Sequence, residues 1–261
     1  MHVVVCAKET PDSAAKVEVG ADGNVTWGGA PLVINPWDEY AVEEGLRLKE
    51  EHGGTCTVLA MGSPSSQEAL KHAVAMGCDD AVLVSDPAFE NADTLLTSHA
   101  LAQAIAKMGD VDLAIFGRQA IDGDTGHTAV QVGRRLGWNT LTYVFKIAEI
   151  DFEAGTIKVE RLLEEGKQIC ESRLPAVLST VKDINEPRYP SIIGVRKAAK
   201  LEIPVWTAAD VGADGAIQAK VQWPAVSAPP ARQAETEMIE GDTPEAIAAA
   251  LVDKLISEKI V

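Results

Sequence analysis

Along the first two-thirds of the chain, short β-branched runs alternate with stretches whose apolar positions recur every three to four residues. His2 to Cys6, Thr55 to Ala60, Ala81 to Ser85 and Val111 to Phe116 have strand length, with helical stretches between them. This order predicts an α/β fold, a doubly wound and mostly parallel sheet covered on both faces. Helix starts are marked by side-chain chemistry. Asn35-Pro36-Trp37-Asp38 offers an N-cap, a proline at the first helical position and an acid in the first turn. Ser63-Pro64 repeats the device ahead of Gln67 to Met76, which Gly77 stops, and a third helix follows Asp93. Within Val17 to Trp27, the Gly20 to Asn24 centre reads as a hairpin turn inserted after the first strand.

After Trp138 the texture changes. Thr140 to Ile150, Thr156 to Leu163, Lys167 to Arg173 and Ala176 to Val181 are strand-like runs, which predict an antiparallel extension of the same sheet. From Leu201 to Arg232 there is little periodicity, and Pro204, Pro224, Pro229 and Pro230 interrupt it. Asp242 to Glu245 then forms a capping box for a last helix through Ile256. The chain therefore divides into an α/β domain over 1–200 and a C-terminal arm over 201–261 that ends in a helix. Such an arm either wraps a partner subunit or packs on its own domain.

A chain of 261 residues buries a sizeable core, and its net charge of −16 argues against nucleic acid or an anionic membrane surface as partner. Four scattered cysteines and five histidines make no ligand cluster, so no iron–sulfur, haem or zinc site is expected. If the protein handles electrons, a flavin must do it. The first strand begins at His2 with no leader segment before it, and no apolar run is long enough for a bilayer, which points to the cytoplasm and to no membrane insertion.

The chemistry concentrates in Gly117-Arg118-Gln119-Ala120-Ile121-Asp122-Gly123-Asp124-Thr125, between an apolar run and a helical stretch, Thr125 to Leu136. Gly117 and Gly123 permit backbone conformations that let successive amides converge on an anion at the helix N-terminus. Asp122 and Asp124 would repel a bare phosphate; capping the helix and fixing the loop suit them better. An ordinary capped βα loop would read the same way. In doubly wound sheets the ligand sits outside the carboxyl ends of the strands, and the other loops of that edge carry Cys6, Ala7 and Lys8, then Asn35, Pro36, Trp37 and Asp38, then Met61 and Gly62. Lys8 and Arg118 offer cations for phosphates, Gly62 admits a base or ribose, and Trp37 offers a face for stacking; singly, each has a plain structural reading as well. Gly126, His127 and Thr128 continue the loop, and His127, without a paired carboxylate, lines the site rather than catalysing. No Walker A, Gly-x-Gly-x-x-Gly, nucleophile-elbow or zincin motif is present, so no catalytic residue is assigned. A second unusual stretch, Asn185-Glu-Pro-Arg188-Tyr189-Pro190, precedes adjacent Ile192 and Ile193. These either anchor another protein or cover the sheet edge.

Three motifs in order carry a resemblance: Asn35 to Glu44, Gly117 to Asp124, and Asn185 to Tyr189 ahead of the basic Arg196 to Lys200. Together they resemble the β subunit of the electron-transfer flavoprotein family from Val3 to about Lys200, with a weaker match in the last helix. The resemblance implies a heterodimer with an α subunit that holds a redox FAD. It also implies electrons accepted from acyl-CoA dehydrogenases or related flavoenzymes and passed on. Cys6 to Lys8, Asn35 to Asp38, Met61, Gly62 and Gly117 to Thr128 match the positions around the β-subunit nucleotide, which is AMP in respiratory members. In the bifurcating branch it is a second FAD that takes hydride from NADH. Asp122 to Thr125 and Asn185 to Pro190 resemble the bifurcating branch, whereas His127 and Ala129 depart from its Gln and Gly. Trp37 falls near the α-subunit flavin, and Arg188, Tyr189, Ile192 and Ile193 belong to the loop that meets the partner dehydrogenase. An adenine-nucleotide hydrolase would need a Ser-Gly-Gly-type phosphate loop where Cys6 to Pro11 stands, and a universal-stress-type nucleotide sensor would not explain the long β extension.

Overall fold

The computed structural model describes residues 1–260 apart from 216, 222, 224 and 231–235, so Pro224 and Arg232 of the proline-rich stretch lie outside the described residues. In chain order the strands and helices are β1 (His2–Cys6), β2 (Glu9–Pro11), β3 (Glu18–Val19), β4 (Val25–Thr26), β5 (Leu32–Ile34), α1 (Pro36–His52), β6 (Thr55–Met61), α2 (Gln67–Met76), β7 (Asp80–Val84) and α3 (Thr94–Met108). There follow β8 (Leu113–Gly117), α4 (Thr128–Leu136), β9 (Asn139–Asp151), β10 (Thr156–Leu163), β11 (Gly166–Arg173), β12 (Ala176–Thr180), α5 (Ile192–Ala198), β13 (Val205–Trp206) and α6 (Pro244–Ser257).

The main sheet runs β11-β10-β9-β12-β8-β1-β6-β7-β13, parallel from β9 to β13 and antiparallel at β10 and β11. Period-two alternation sorts its central side chains onto two faces. Val3 and Val5 pack with Val42, Leu46 and Leu70 of α1 and α2, while Val4 and Cys6 pack with Leu101, Ile105 and Val132 of α3 and α4. Val3, Val4 and Val5 are fully buried, each burial contributing roughly 1.5–3 kcal/mol. At Gly45 the helix approaches the sheet so closely that a Cβ would stand 2.7 Å from Val5 Cγ2.

The architecture agrees with the alternation in the sequence, with three corrections. Ala176–Thr180 is not part of the antiparallel extension: it returns through the β9–β11 meander and inserts between β8 and β9, parallel to both. Its five residues are all buried, as expected of a central parallel strand. The helix after the Gly117 loop starts at Thr128 rather than Thr125. The cap of the last helix is Thr243, whose Oγ1 accepts from the Ala246 amide at 3.2 Å, rather than Asp242.

Two compact units emerge, Met1–Val226 and Ser227–Val261, where composition places the boundary at residue 200. Residues just past 200 belong to the first unit because Val205 and Trp206 pair with Leu83 and Val84, and Ala208, Val211 and Ala213 are buried against the α3 face. The second unit holds α6, on which Lys254 pairs with Glu237 at 2.9 Å and Glu258 at 3.2 Å.

Candidate functional site

From β1 the chain winds through β6 to β7 in one direction, and from β8 through β12 in the other, so strand order reverses between β1 and β8. Splayed loops at such a point open a crevice at the carboxyl ends. Two side chains knit the crevice walls. Asn35 is buried, and although it precedes α1 its side chain does not cap the helix. Its Nδ2 donates to the Gln119 carbonyl at 2.9 Å and its Oδ1 accepts from the Ile121 amide at 3.1 Å, so it holds the long loop in place. Asp38 accepts from the Lys8 amide at 2.8 Å. Burial pushes its carboxyl up to about 7 against the opposing pull of the Lys8 amide, the Asn35 side chain and the Gly117 amide. Burial and the neighbouring Asp38 push the Cys6 thiol well up, so it stays protonated.

Gly117 is required by close approach. Its backbone is not left-handed, but a Cβ there would lie 2.6 Å from the Trp37 carbonyl carbon and 2.7 Å from its oxygen. Positive φ falls instead on Asp124 (54°) and Gly126 (62°), which corrects the role expected of Gly117 and Gly123. Nor do the two aspartates cap α4. Asp122 pairs with Lys8 Nζ at 2.6 Å, and Asp124 accepts from the Gln119 side chain. The residue before α4 is His127, which makes no side-chain cap, so the amides of the first turn lack an intrahelical acceptor and a capping side chain.

These loops enclose a cavity of about 400 Å³. Cys6, Ala7, Lys8, Asn35, Asp38, Met61, Gly62, Gly117–Ala120, Gly123–Gly126 and Thr128 line it. Pro36, Trp37, Ile121, Asp122 and His127 do not. The opposite wall escaped the sequence reading: Phe89, Asn91, Ala92, Asp93, Thr94, Thr97 and Leu101 of the β7–α3 segment also line the cavity. The signal was Asp93, which caps α3 through the Leu96 amide at 2.9 Å and so marks a helix start at the same sheet edge. Asp93 also accepts from the amides of Lys220 (2.7 Å) and Val221 (3.1 Å).

Trp37 faces an outer cleft with Tyr143, Leu162 and Val181, and Arg118 lines both the cavity and this cleft. The Arg118 guanidinium carbon lies 5.6 Å from the Trp37 ring centroid and 5.2 Å from that of Tyr143, within cation–π range. Its Nε is buried with no hydrogen-bond partner among the described residues. Tyr143 holds φ of 57°, where β9 bulges against β12.

On the α1–α2 side, Tyr189, Ile192 and Ile193 are 94, 75 and 80 % exposed, so the isoleucines do not cover the sheet edge. Arg188 is otherwise engaged: its guanidinium is bound to Glu43 and Glu50 of α1. Among the described residues no group of three or more His, Cys, Asp or Glu side chains is placed to hold a metal ion, and no helix is long and apolar enough to cross a membrane.

A family model described as the electron transfer flavoprotein domain matches residues 25–211. The chain belongs to the electron transfer flavoprotein family. It is similar to the electron transfer flavoprotein subunit beta of Clostridium acetobutylicum, 41 % identical over 83 % of this chain and 82 % of that one. It is also similar to subunit CarD of the caffeyl-CoA reductase–Etf complex of Acetobacterium woodii, 39 % identical over the whole of both chains. Protein FixA of Azotobacter vinelandii is 38 % identical over 99 % of this chain and 95 % of its own length. Electron transfer of the β-subunit and FixA type is therefore this protein's function.

For a flavoprotein-family member the cavity passes a simple test of fit. About 400 Å³ lies within the usual range for small-molecule sites. Its wall includes the uncapped α4 N-terminus, where anions are favoured, and Arg118, whose Nε is orphaned, is another of its lining residues. Lys8, already paired with Asp122, contributes less free charge than its sequence position suggests. Asp38, the titrating carboxyl of the wall, is engaged by loop amides and serves loop geometry.

Proposed function

We propose that this chain is the β half of an electron-transferring heterodimer. With an α subunit that holds FAD, it accepts electrons from an acyl-CoA dehydrogenase-type flavoenzyme, or from NADH in a bifurcating arrangement, and passes them to a further redox partner. The observation that carries the reading is the amide-lined cavity at the strand-order switch. There the Gly117 loop, the α4 N-terminus and Arg118 would hold the phosphate of an adenine nucleotide, and Gly62 and the α3 wall its adenosine. That nucleotide is AMP or a second FAD, both of which offer an adenylate to the same residues. A bound flavin supplies the one- and two-electron chemistry. The chain's own residues bind and orient: Asn35 and Asp38 fix the loop, and Trp37, Arg118 and Tyr143 line a cleft suited to a planar ring of the α subunit.

The exposed Tyr189, Ile192 and Ile193 suit an apolar anchor on the donor flavoenzyme. A redox partner that acts on a CoA ester is supported by the name of the A. woodii relative, a subunit of a complex with caffeyl-CoA reductase. Family membership favours electron transfer over the hydrolase and stress-sensor alternatives. The test is co-expression with the α partner, followed by mass spectrometry of the released nucleotide and a flavin-to-protein ratio. One FAD plus AMP gives the respiratory arrangement and two FAD the bifurcating one. A colourless complex without adenine nucleotide overturns the reading.

A further inference from the structure

Helix α1 works at both ends. Its first residues, with Asn35 before them, hold the cavity loop. Farther along, the same helix presents Glu43, Glu44 and Glu50 to the loop ahead of α5. Arg188 Nε donates to Glu43 Oε2 at 2.8 Å and Nη2 to Glu43 Oε1 at 2.9 Å, a forked pair. Nη2 also donates to Glu50 Oε2 at 3.0 Å, Nη1 reaches the other Glu50 oxygen, and the Arg188 amide donates to Glu43 at 3.1 Å. Asn185 Nδ2 adds bonds of 3.0 Å to the Tyr40 carbonyl and to Glu44. Glu43 is buried, so its charge demands this partner. Immediately beyond Arg188 come Tyr189, Pro190 and Ser191, whose Oγ caps α5 through the Gly194 amide at 2.9 Å. From Asn35 to Glu50 the helix axis runs about 22 Å at 1.5 Å per residue.

We propose that Arg188 is a positioning residue: gripped by Glu43 and Glu50, it fixes the Tyr189–Ile193 knob relative to the nucleotide cavity, so that a docked flavoprotein presents its cofactor at one set distance. This rests on the docking role given above to Ile192 and Ile193. Arg188 contributes geometry through α1, and the exposed isoleucines contribute affinity. Lysine in its place keeps the charge but cannot make the fork.

The experiment uses the full chain in its heterodimer, with a reduced short-chain acyl-CoA dehydrogenase as electron donor. Arg188→Lys is expected to speed amide exchange across residues 189–195 at least tenfold and to lower kcat about tenfold. Bound nucleotide and exchange across Gly117–Thr128 stay at their wild-type values. Ile192→Ala is expected to raise KM for the dehydrogenase about tenfold with kcat unchanged. If Arg188→Lys does not fold, Glu50→Gln opens the exposed half of the clamp and moves both readouts the same way. Wild-type exchange or wild-type kcat in the folded clamp variant, with Ile192→Ala still raising KM, overturns the positioning role alone. An unchanged KM in Ile192→Ala overturns the docking reading and this proposal with it.

Discussion

At the scale of single residues, the crevice loop is held by two buried polar side chains, Asn35 and Asp38, that find their partners in the main chain. Asn35 bonds two main-chain groups of the Gly117 loop, and Asn35→Ala strands both, a cost of about 1–3 kcal/mol for each buried group left unpaired. A lowered melting temperature and loss of co-purifying nucleotide are the expected outcome; retained nucleotide would contradict the loop-holding role. Asp38 gives a pH signature. Its carboxyl, ordinarily near 3.8, sits at about 7 in the fold, so the folded state keeps a proton that the unfolded chain releases. The associated stability is present below pH 4 and is lost as pH rises through 7, on the order of 4 kcal/mol in total. Asp38→Asn should flatten that part of the profile, with the variant gaining on the wild type at pH 8 relative to pH 5. Parallel curves in denaturant titrations at the two pH values would refute the assignment.

At the scale of elements, much was legible because the cues are local. Apolar runs of strand length, the proline at the start of α1 and the glycine after α2 located strands and helices within one to three residues. What was not legible depends on tertiary contacts. The place of β12 between β8 and β9 is a topological fact; its sequence, Ala176-Val177-Leu178 followed by Ser179 and Thr180, reads equally as an outer strand. Gly117 looked like a conformational glycine and is a steric one, because the backbone it must clear belongs to Trp37, 80 residues away in the chain. Asp122 looked like a cap and is a counter-ion to Lys8. The α3 wall was missed because its one local cue, the capping Asp93, marks a helix start and says nothing of which cavity that start faces. Gly117→Ala tests the steric reading: the added methyl should force the loop from α1, costing about 1–3 kcal/mol and most of the bound nucleotide, with far-UV circular dichroism intact. Normal nucleotide content would mean that the loop yields without consequence.

At the scale of the whole molecule, the strand-order reversal opens a crevice where a ligand can sit, and family membership shows that the chain's work is electron transfer. The second compact unit then acquires a task of its own. Its helix α6 buries none of its residues, and Leu251, Val252 and Ile256 are 44, 50 and 57 % exposed although the helix is rich in apolar positions. A helix of this composition gains by covering its apolar side, and the prediction is that the α subunit of the heterodimer proposed above is the surface that covers it. Leu251→Asp combined with Ile256→Asp should therefore weaken the heterodimer by at least a hundredfold in size-exclusion or sedimentation assays, since each change places a charge in an apolar contact. The first unit has its own two-layered core, so its melting transition should stay in place. If subunit affinity is unchanged while that transition drops, α6 serves the fold of this chain and the α subunit binds elsewhere.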